Sequence, residues 1–280
     1  MTGRPTLLFG VGSMLGWSIW CGRDGAEVIG FGNRERARWP AGIDRGLHLN
    51  DPTEVAALFA AERPQLIVHC AGVCDVEVCE ASPAFAHEVN VEGTRHLLAH
   101  APADARVVYC SSDHVFGGDA GPYDEDAAPA PISVYGRTRV EAERLVRARA
   151  NTLVVRSGLW IGPSATGRIG HLDWLRHRHR RNLPMTVVAD EVRSAVWAAD
   201  AAARVWALAR SPLTGVRHIT ATRAVARPEL ARHVDRHFAI GATFGVQLRR
   251  DRRAPHIGNV ELATRHTDAL AAPLRSVVSC

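Results

Sequence analysis

Leu7-Leu8-Phe9-Gly10-Val11-Gly12-Ser13-Met14-Leu15-Gly16-Trp17 runs from a short apolar strand through a glycine-bearing turn into the start of a helix. That order places a phosphate site. Glycines let the backbone approach a pyrophosphate closely, and the N-terminus of the following helix favours its negative charge.

Taken alone, a degenerate glycine pattern is weak. It gains meaning from the apolar runs at residues 6–9, 27–31, 46–49, 65–70, 106–110 and 152–156, rich in Val, Ile and Leu, which alternate with helical patterns. Such runs read as parallel strands buried on both faces. The segment 52–61 begins as a helix with Asp51 as N-cap and Pro52 in its first turn. Residues 83–99 and 134–148 also carry apolar positions at helical spacing. The expected fold is a doubly wound parallel α/β sheet of the Rossmann type over residues 1–157. A smaller substrate lobe is expected over residues 158–280, with 192–212 returning to the main domain. Within that lobe the patterns predict helices at 168–181, 198–209 and 228–238 and a strand at 184–188.

The chain has 280 residues, 46% of them hydrophobic, enough for one sizeable core with an added lobe. No run approaches the roughly 18 apolar residues of a membrane helix, and Met1 to Pro5 lead into a strand rather than a signal peptide. A cytoplasmic protein with no membrane contact is expected. The six cysteines lack the spacing of a disulfide framework and read as free thiols. Cys70, Cys74 and Cys79 cluster but a zinc site needs a fourth ligand, and the spacing of His171, His177 and His179 does not put all three on one helix face, so no metal is expected.

All 34 basic residues are arginine, and their distribution is uneven. Residues 1–150 hold 14 Arg against 20 Asp and Glu, whereas residues 151–280 hold 20 against 9. A basic second half suits an anionic small molecule. The arginines show no aromatic interleaving or nucleic-acid motif, so nucleic acid is not the expected partner.

Two further stretches carry chemistry. Ser111-Ser112 closes the apolar run at 106–110, and Tyr135-Gly136-Arg137-Thr138-Arg139 opens a helical pattern. Positions i and i+4 share a helix face, so Arg139 stands beside Tyr135 while Arg137 points elsewhere. A tyrosine with an ordinary pKa near 10 that exchanges a proton near neutrality needs such a cation beside it. Ser112, Tyr135 and Arg139 thus form a candidate set for moving a hydride and a proton, with Ser112 orienting a carbonyl. At the tip of the second strand, Phe31-Gly32-Asn33-Arg34-Glu35-Arg36 has no acid at position 32 or 33 and has arginines close by. An acid there would bond a ribose 2′-hydroxyl, whereas arginine accommodates a 2′-phosphate. NADP is therefore expected over NAD.

These stretches resemble the extended short-chain dehydrogenases/reductases, and within them the dTDP-4-dehydrorhamnose reductase-like group. The resemblance rests on the loop from Phe9 to Trp17, on Cys70-Ala71-Gly72 with Asp75-Val76-Glu77-Val78-Cys79-Glu80, and on Val89-Asn90-Val91-Glu92-Gly93-Thr94. It continues through Val107-Val108-Tyr109-Cys110-Ser111-Ser112-Asp113-His114-Val115-Phe116 and Pro131 to Arg139. Val154-Val155-Arg156-Ser157 and Asp190-Glu191-Val192-Arg193-Ser194 followed by Asp200 extend it.

The resemblance implies that Tyr135 is the proton donor, that Ser112 orients the carbonyl, and that Arg139 stands where the group has a lysine. It places Gly10, Gly12, Ser13, Met14, Leu15 and Gly16 at the pyrophosphate, and Asn33, Arg34, His48 and Leu49 at the adenosine end. Ala71 and Gly72 fall on the nicotinamide side, with Tyr135 and Arg139. His114 replaces a family tyrosine and joins Arg156 and Arg193 as expected substrate contacts, with Arg168 and Arg176 as further candidates. Pairing of two copies through the helices flanking Tyr135 is also implied.

The implied function is an NADP-dependent reductase of a carbonyl on a nucleotide-linked sugar. Epimerisation or dehydration of a nucleotide sugar and tailoring of a secondary metabolite stay open. So does a catalytically weakened NADP-binding regulatory subunit, as resemblance to methionine adenosyltransferase beta subunits implies. Arginine supplies a fixed positive charge but cannot release a proton.

Overall fold

The protein is described by a computed structural model over residues 3–23, 27–32, 43 and 45–279. Its first strands are β1 (Thr6–Phe9), β2 (Val28–Gly32), β3 (Arg45–Gly46), β4 (Leu66–His69), β5 (Arg106–Ser112) and β6 (Thr152–Ser157). They are followed by β7 (Leu159–Ile161), β8 (Thr186–Val188), β9 (Val192–Trp197), β10 (Gly215–Ile219), β11 (Ala224–Ala226), β12 (Gly245–Gln247) and β13 (Asn259–Val260). Seven form one sheet in the order β10-β6-β5-β4-β1-β2-β3, and every neighbouring pair in it is parallel. The expected doubly wound parallel sheet is thus present. The strand order reverses between β1 and β4, which opens a crevice at their C-terminal ends.

Alternation along each strand explains the two-sided burial. Leu8 of β1 faces one side with Val68, Val108 and Val155, packing on α1 (Met14–Cys21) and α8 (Ala198–Arg210) through Ile19, Trp20, Val205 and Trp206. Leu7 and Phe9 face the other side with Ile67 and Val107, against Val55 and Phe59 of α2 (Pro52–Glu62) and Leu97 of α5 (Gly93–His100). Between α2 and α5 lie α3 (Val76–Ala81) and α4 (Pro83–His87). Asp51 caps α2 as expected, its carboxylate accepting from Thr53 N and Glu54 N at 2.9 and 3.1 Å.

The helix expected over 83–99 is interrupted by a π-helical turn, Glu88–Glu92. The wider turn carries the Asn90 amide inward, where it accepts from Val73 N at 2.8 Å and donates to Val73 O and Thr138 Oγ1 at 3.0 and 2.9 Å. Apolar spacing carries no sign of this, because the extra residue is stabilised by tertiary partners.

Helix α6 (Val134–Arg147) packs on β5 and β6, and α7 (His171–Arg180) and α9 (Arg227–His237) belong to the second lobe. There β9 pairs with β7, β11 and β13, and Ile161, Leu172, Leu175, Leu230 and Val234 form its core. Within the stretch 192–212, α8 packs on the seven-stranded sheet, whereas β9 lies in the separate sheet with β7, β11 and β13. Strand β10 also rejoins the main sheet, beyond the expected return. Its polar Arg217 and His218 hid it among less regular sequence. Arg106, at the start of β5, fastens the end of α8 by donating to Ala209 O, Leu208 O and Leu213 O at 2.9, 3.2 and 2.6 Å. Among the described residues no helix is long and apolar enough to cross a membrane.

Candidate functional site

The crevice between β1 and β4 is shaped by missing side chains. Gly10 adopts a φ of +92°, and a Cβ there would lie 2.5 Å from Ala71 N. A Cβ on Gly16 would lie 2.1 Å from Gly10 O, so α1 can start this close to β1 only with glycine there. Ser13 caps α1, its hydroxyl accepting from Gly16 N at 2.9 Å and donating to Gly10 O at 2.8 Å. Bare backbone facing the N-terminus of a helix is the donor set a pyrophosphate requires. The chain's own residues therefore fit a dinucleotide.

Ser112 ends β5, and Tyr135 lies in the first turn of α6. Ser133 caps α6 by accepting from Gly136 N at 3.0 Å, and Glu80 accepts from Val134 N at 2.6 Å. A Cβ on Gly136 would stand 2.2 Å from His114 O, so that glycine lets the helix lie directly on the turn after β5. Arg139, one turn on, is buried with its guanidinium carbon 5.1 Å from the Tyr135 ring centre, while Arg137 is exposed. The expected sharing of a face by positions 135 and 139 is thus present. Arg139 Nη1 donates to Tyr109 Oη at 2.8 Å. Ser112 donates to Asp113 Oδ1 and accepts from His114 N, both at 3.2 Å.

Burial pushes the Tyr135 phenol above its ordinary value, with Arg139 and Ser112 pulling against it. It therefore holds its proton at neutral pH. Burial has the opposite effect on imidazoles, which are charged when protonated. His69 and His114 are pushed down to about 3, each by burial and then by a nearby arginine, and His171 is also lowered. These histidines fold neutral. Because their folded pKa lies below the ordinary value near 6.5, the unfolded chain takes up protons first as pH falls, and their contribution, complete above about 6.5, drains away toward about 3. The urea midpoint is expected to drop steadily between pH 6.5 and 5, before ordinary carboxylates titrate. A flat profile across that window would contradict the buried neutral histidines.

A cleft of about 950 Å³ extends from this crevice into the second lobe. It is lined by Gly10, Gly12 and Ser13 with Phe31, Gly32, His48 and Leu49, by Ala71 to Asp75, and by Arg168, His171, Trp174, Glu191, Arg227, Arg252 and His256. Ser112, Tyr135 and Arg139 do not line it. Arg139 stands immediately behind Gly72, where a Cβ would meet its Nη2 at 2.6 Å.

A family model described as the RmlD substrate binding domain matches residues 4–264. The chain belongs to that family. Among relatives of this RmlD-type chain, dTDP-4-dehydrorhamnose reductase of Streptomyces griseus is 32% identical over 222 residues, 76% of this chain and 67% of that protein. A probable dTDP-4,6-dihydroxy-2-methyloxan-3-one 4-ketoreductase of Streptomyces antibioticus is 35% identical over 195 residues, 68% and 65% of the two chains. Methionine adenosyltransferase 2 subunit beta of Xenopus tropicalis is 35% identical over 148 residues, 51% and 43%. The chain thus spans less than two thirds of the length of these last two curated relatives. A solved structure of dTDP-4-dehydrorhamnose reductase from Bacillus anthracis str. Ames in complex with NADP superposes with a TM-score of 0.83 at 20% identity, covering 98% of this chain and 95% of that one. That likeness establishes the fold.

Within this RmlD-family fold, two expected substrate contacts are corrected. Arg156 is 2% exposed, and its Nε and Nη2 donate to the Glu143 carboxylate at 2.7 to 3.2 Å. Arg193 is also buried, donating to both oxygens of Asp113 at 2.5 Å and to Glu191 Oε1 at 2.9 Å. Both cations are neutralised inside the protein. Arg176 lies over the Phe238 ring away from the cleft, and only Arg168 of the four arginine candidates lines it. His114 is half-buried, edge-on against Tyr135 with ring centres 5.2 Å apart, and does not line the cleft.

Met14, Leu15 and Gly16 lie behind the glycine turn, and Asn33 and Arg34 fall outside the described residues. The sequence reading missed Cys74, Trp174, Arg227, Arg252 and His256 as lining residues. They come from separate segments of the chain, so no local spacing joins them.

Proposed function

We propose that this chain is an NADP-dependent reductase of a carbonyl on a nucleotide-linked sugar. The observation that carries this reading is the start of α6, which sets Tyr135 beside the end of β5 with the Arg139 cation on the same helix face. The named activities of the Streptomyces relatives, both on dTDP-linked keto sugars, support the substrate class. The NADP held by the Bacillus anthracis structure supports the cofactor.

Gly10, Gly12 and Ser13 would hold the pyrophosphate, with His48 and Leu49 toward the adenosine and Ala71 and Gly72 toward the nicotinamide. When bound, NADPH supplies the hydride. Tyr135 keeps its phenolic proton at neutral pH and gives it to the carbonyl oxygen as negative charge develops there. Arg139 then stabilises the tyrosinate left behind, as a fixed charge that releases no proton. Ser112 orients the carbonyl after exchanging its bond to Asp113 for one to the substrate. In the cleft wall, Arg227 Nη1 and both imidazole nitrogens of His171 are buried without a hydrogen-bond partner among the described residues. With Arg168 they suit the anionic part of the substrate.

A second reading is a cofactor-binding regulatory subunit. It is favoured by the match to methionine adenosyltransferase 2 subunit beta and by a cleft lining that leaves out Ser112, Tyr135 and Arg139. Following nicotinamide absorbance with a panel of keto sugar nucleotides separates the two. Turnover with NADPH, and tighter binding of NADPH than NADH, is expected. Tight NADPH binding without turnover on any member of the panel would establish the second reading.

A further inference from the structure

Arg139 is an unusual buried cation. Among the described residues no carboxylate bonds its guanidinium, and Nε has no partner. Its Nη1 donates to the Tyr109 phenol, on the strand that ends in Ser112. The guanidinium carbon lies 5.7 Å from the Tyr109 ring centre and 5.1 Å from that of Tyr135, so the cation sits between two aromatic faces. The fork has two ends with different surroundings. Nη1 is held by Tyr109 in the core, whereas Nη2 faces Gly72 on the cleft wall, in space a side chain there would fill. An ammonium gathers its three donors on one nitrogen, so it cannot span the distance between the Tyr109 phenol and the Gly72 segment with two nitrogens as the planar guanidinium does.

We propose that Tyr109 is the positioning residue for Arg139: its phenol anchors one arm of the guanidinium so that the other abuts Gly72 from behind the cleft wall and the cation stays over Tyr135. This rests on the reading of Tyr135 as proton donor. Tyr109 and Arg139 then act as a matched pair, and the arginine is a specific component of the site rather than a tolerated replacement. Tyr109 is fully buried and its phenol is pushed up to about 12 by burial, against the pull of Arg139, so it remains a neutral acceptor at working pH.

Other groups bear on the two phenols. Tyr109 has His69 against its ring, 5.3 Å between centres, and Glu143 of α6 nearby. Tyr135 has His114 from the turn after β5, Cys74 from the segment after β4, and Cys79 of α3 in its apolar cluster. Glu80 of α3 accepts from Val134 N, beside Tyr135. None of these is a cation at neutral pH, which leaves Arg139 as the positive charge that Tyr109 can control.

Three tyrosines in the chain, Tyr109, Tyr123 and Tyr135, make a direct test practical. Full-length protein carrying ring-labelled tyrosine is titrated by NMR as wild type, Tyr109→Phe, Arg139→Lys and the double variant, with Tyr123→Phe as the assignment control. In Tyr109→Phe the Tyr135 pKa is expected to rise by roughly one unit, because the released cation shifts toward cleft water. In Arg139→Lys both the Tyr109 and the Tyr135 resonances are expected to move. The double variant should match the single variants rather than sum them.

Where turnover is measurable, the alkaline limb of kcat/KM should shift with the Tyr135 pKa. An unmoved Tyr135 titration in Tyr109→Phe would overturn the proposal. Should that variant not fold, an unmoved Tyr109 resonance in Arg139→Lys does the same. The titrations need no substrate, so absence of catalysis, which would sink the reductase reading, leaves this test intact.

Discussion

Replacing Tyr135 with phenylalanine is expected to lower kcat for NADPH-dependent reduction by roughly 10² to 10⁴, the usual worth of a positioned proton donor. Affinity for NADPH should weaken by no more than about tenfold, since one hydrogen bond contributes about 0.5–1.5 kcal/mol net. The ring itself packs with Val134, Cys79 and Ala86, and phenylalanine retains that packing. Stability should therefore change little, and a rate loss can be assigned to the hydroxyl. Steady-state kinetics beside a direct NADPH titration decides the outcome. An unchanged kcat would remove Tyr135 from the chemistry and with it the case for a reductase of this type.

The largest stability effect is expected at Glu143. Its carboxylate accepts two bonds from Arg156 Nε, one from Nη2, and one from Ser111 Oγ at 2.5 Å, in a site where both members of the ion pair are almost fully enclosed. Glu143→Ala strands the Arg156 cation in the core and should cost about 3–5 kcal/mol in urea unfolding. Arg156→Met combined with Glu143→Leu removes both charges together. That double variant should regain most of the loss, because a buried pair is often no better than well-packed apolar groups of similar volume. A loss below about 1 kcal/mol in Glu143→Ala, the range of exposed pairs, would mean that Arg156 reaches water after all.

The same pair shows where sequence reasoning about charge went astray. An excess of arginine in the second half reads as a surface for an anion. Folded, much of that excess faces the acidic first half: Arg193 bonds Asp113, Arg252 bonds Glu77, Arg249 pairs with Asp119, and Arg265 pairs with Asp126. The imbalance is partly one lobe complementing the other. Arg168 and Arg227 line the cleft, Arg227 with its Nε 3.7 Å from Glu191 Oε1. Nothing in the local sequence distinguishes Arg193 from Arg168, since pairing depends on a partner 80 residues away.

Strands β1, β2, β4, β5 and β6, the doubly wound class and the pairing of Tyr135 with Arg139 on one face were legible in the chain, because each depends on period and on neighbours within a few residues. A parallel strand buried on both sides must be apolar throughout, and a helix must repeat its face every three or four positions. The π turn at Asn90, the return of β10 to the main sheet and the hold of Tyr109 on Arg139 were not legible. Each is stabilised by groups distant in sequence, and burial decides which polar atoms meet. The substitution at position 139 can be read from the residues alone, but its socket of Tyr109, Tyr135 and Gly72 exists only after β5, α6 and the segment following β4 have packed together.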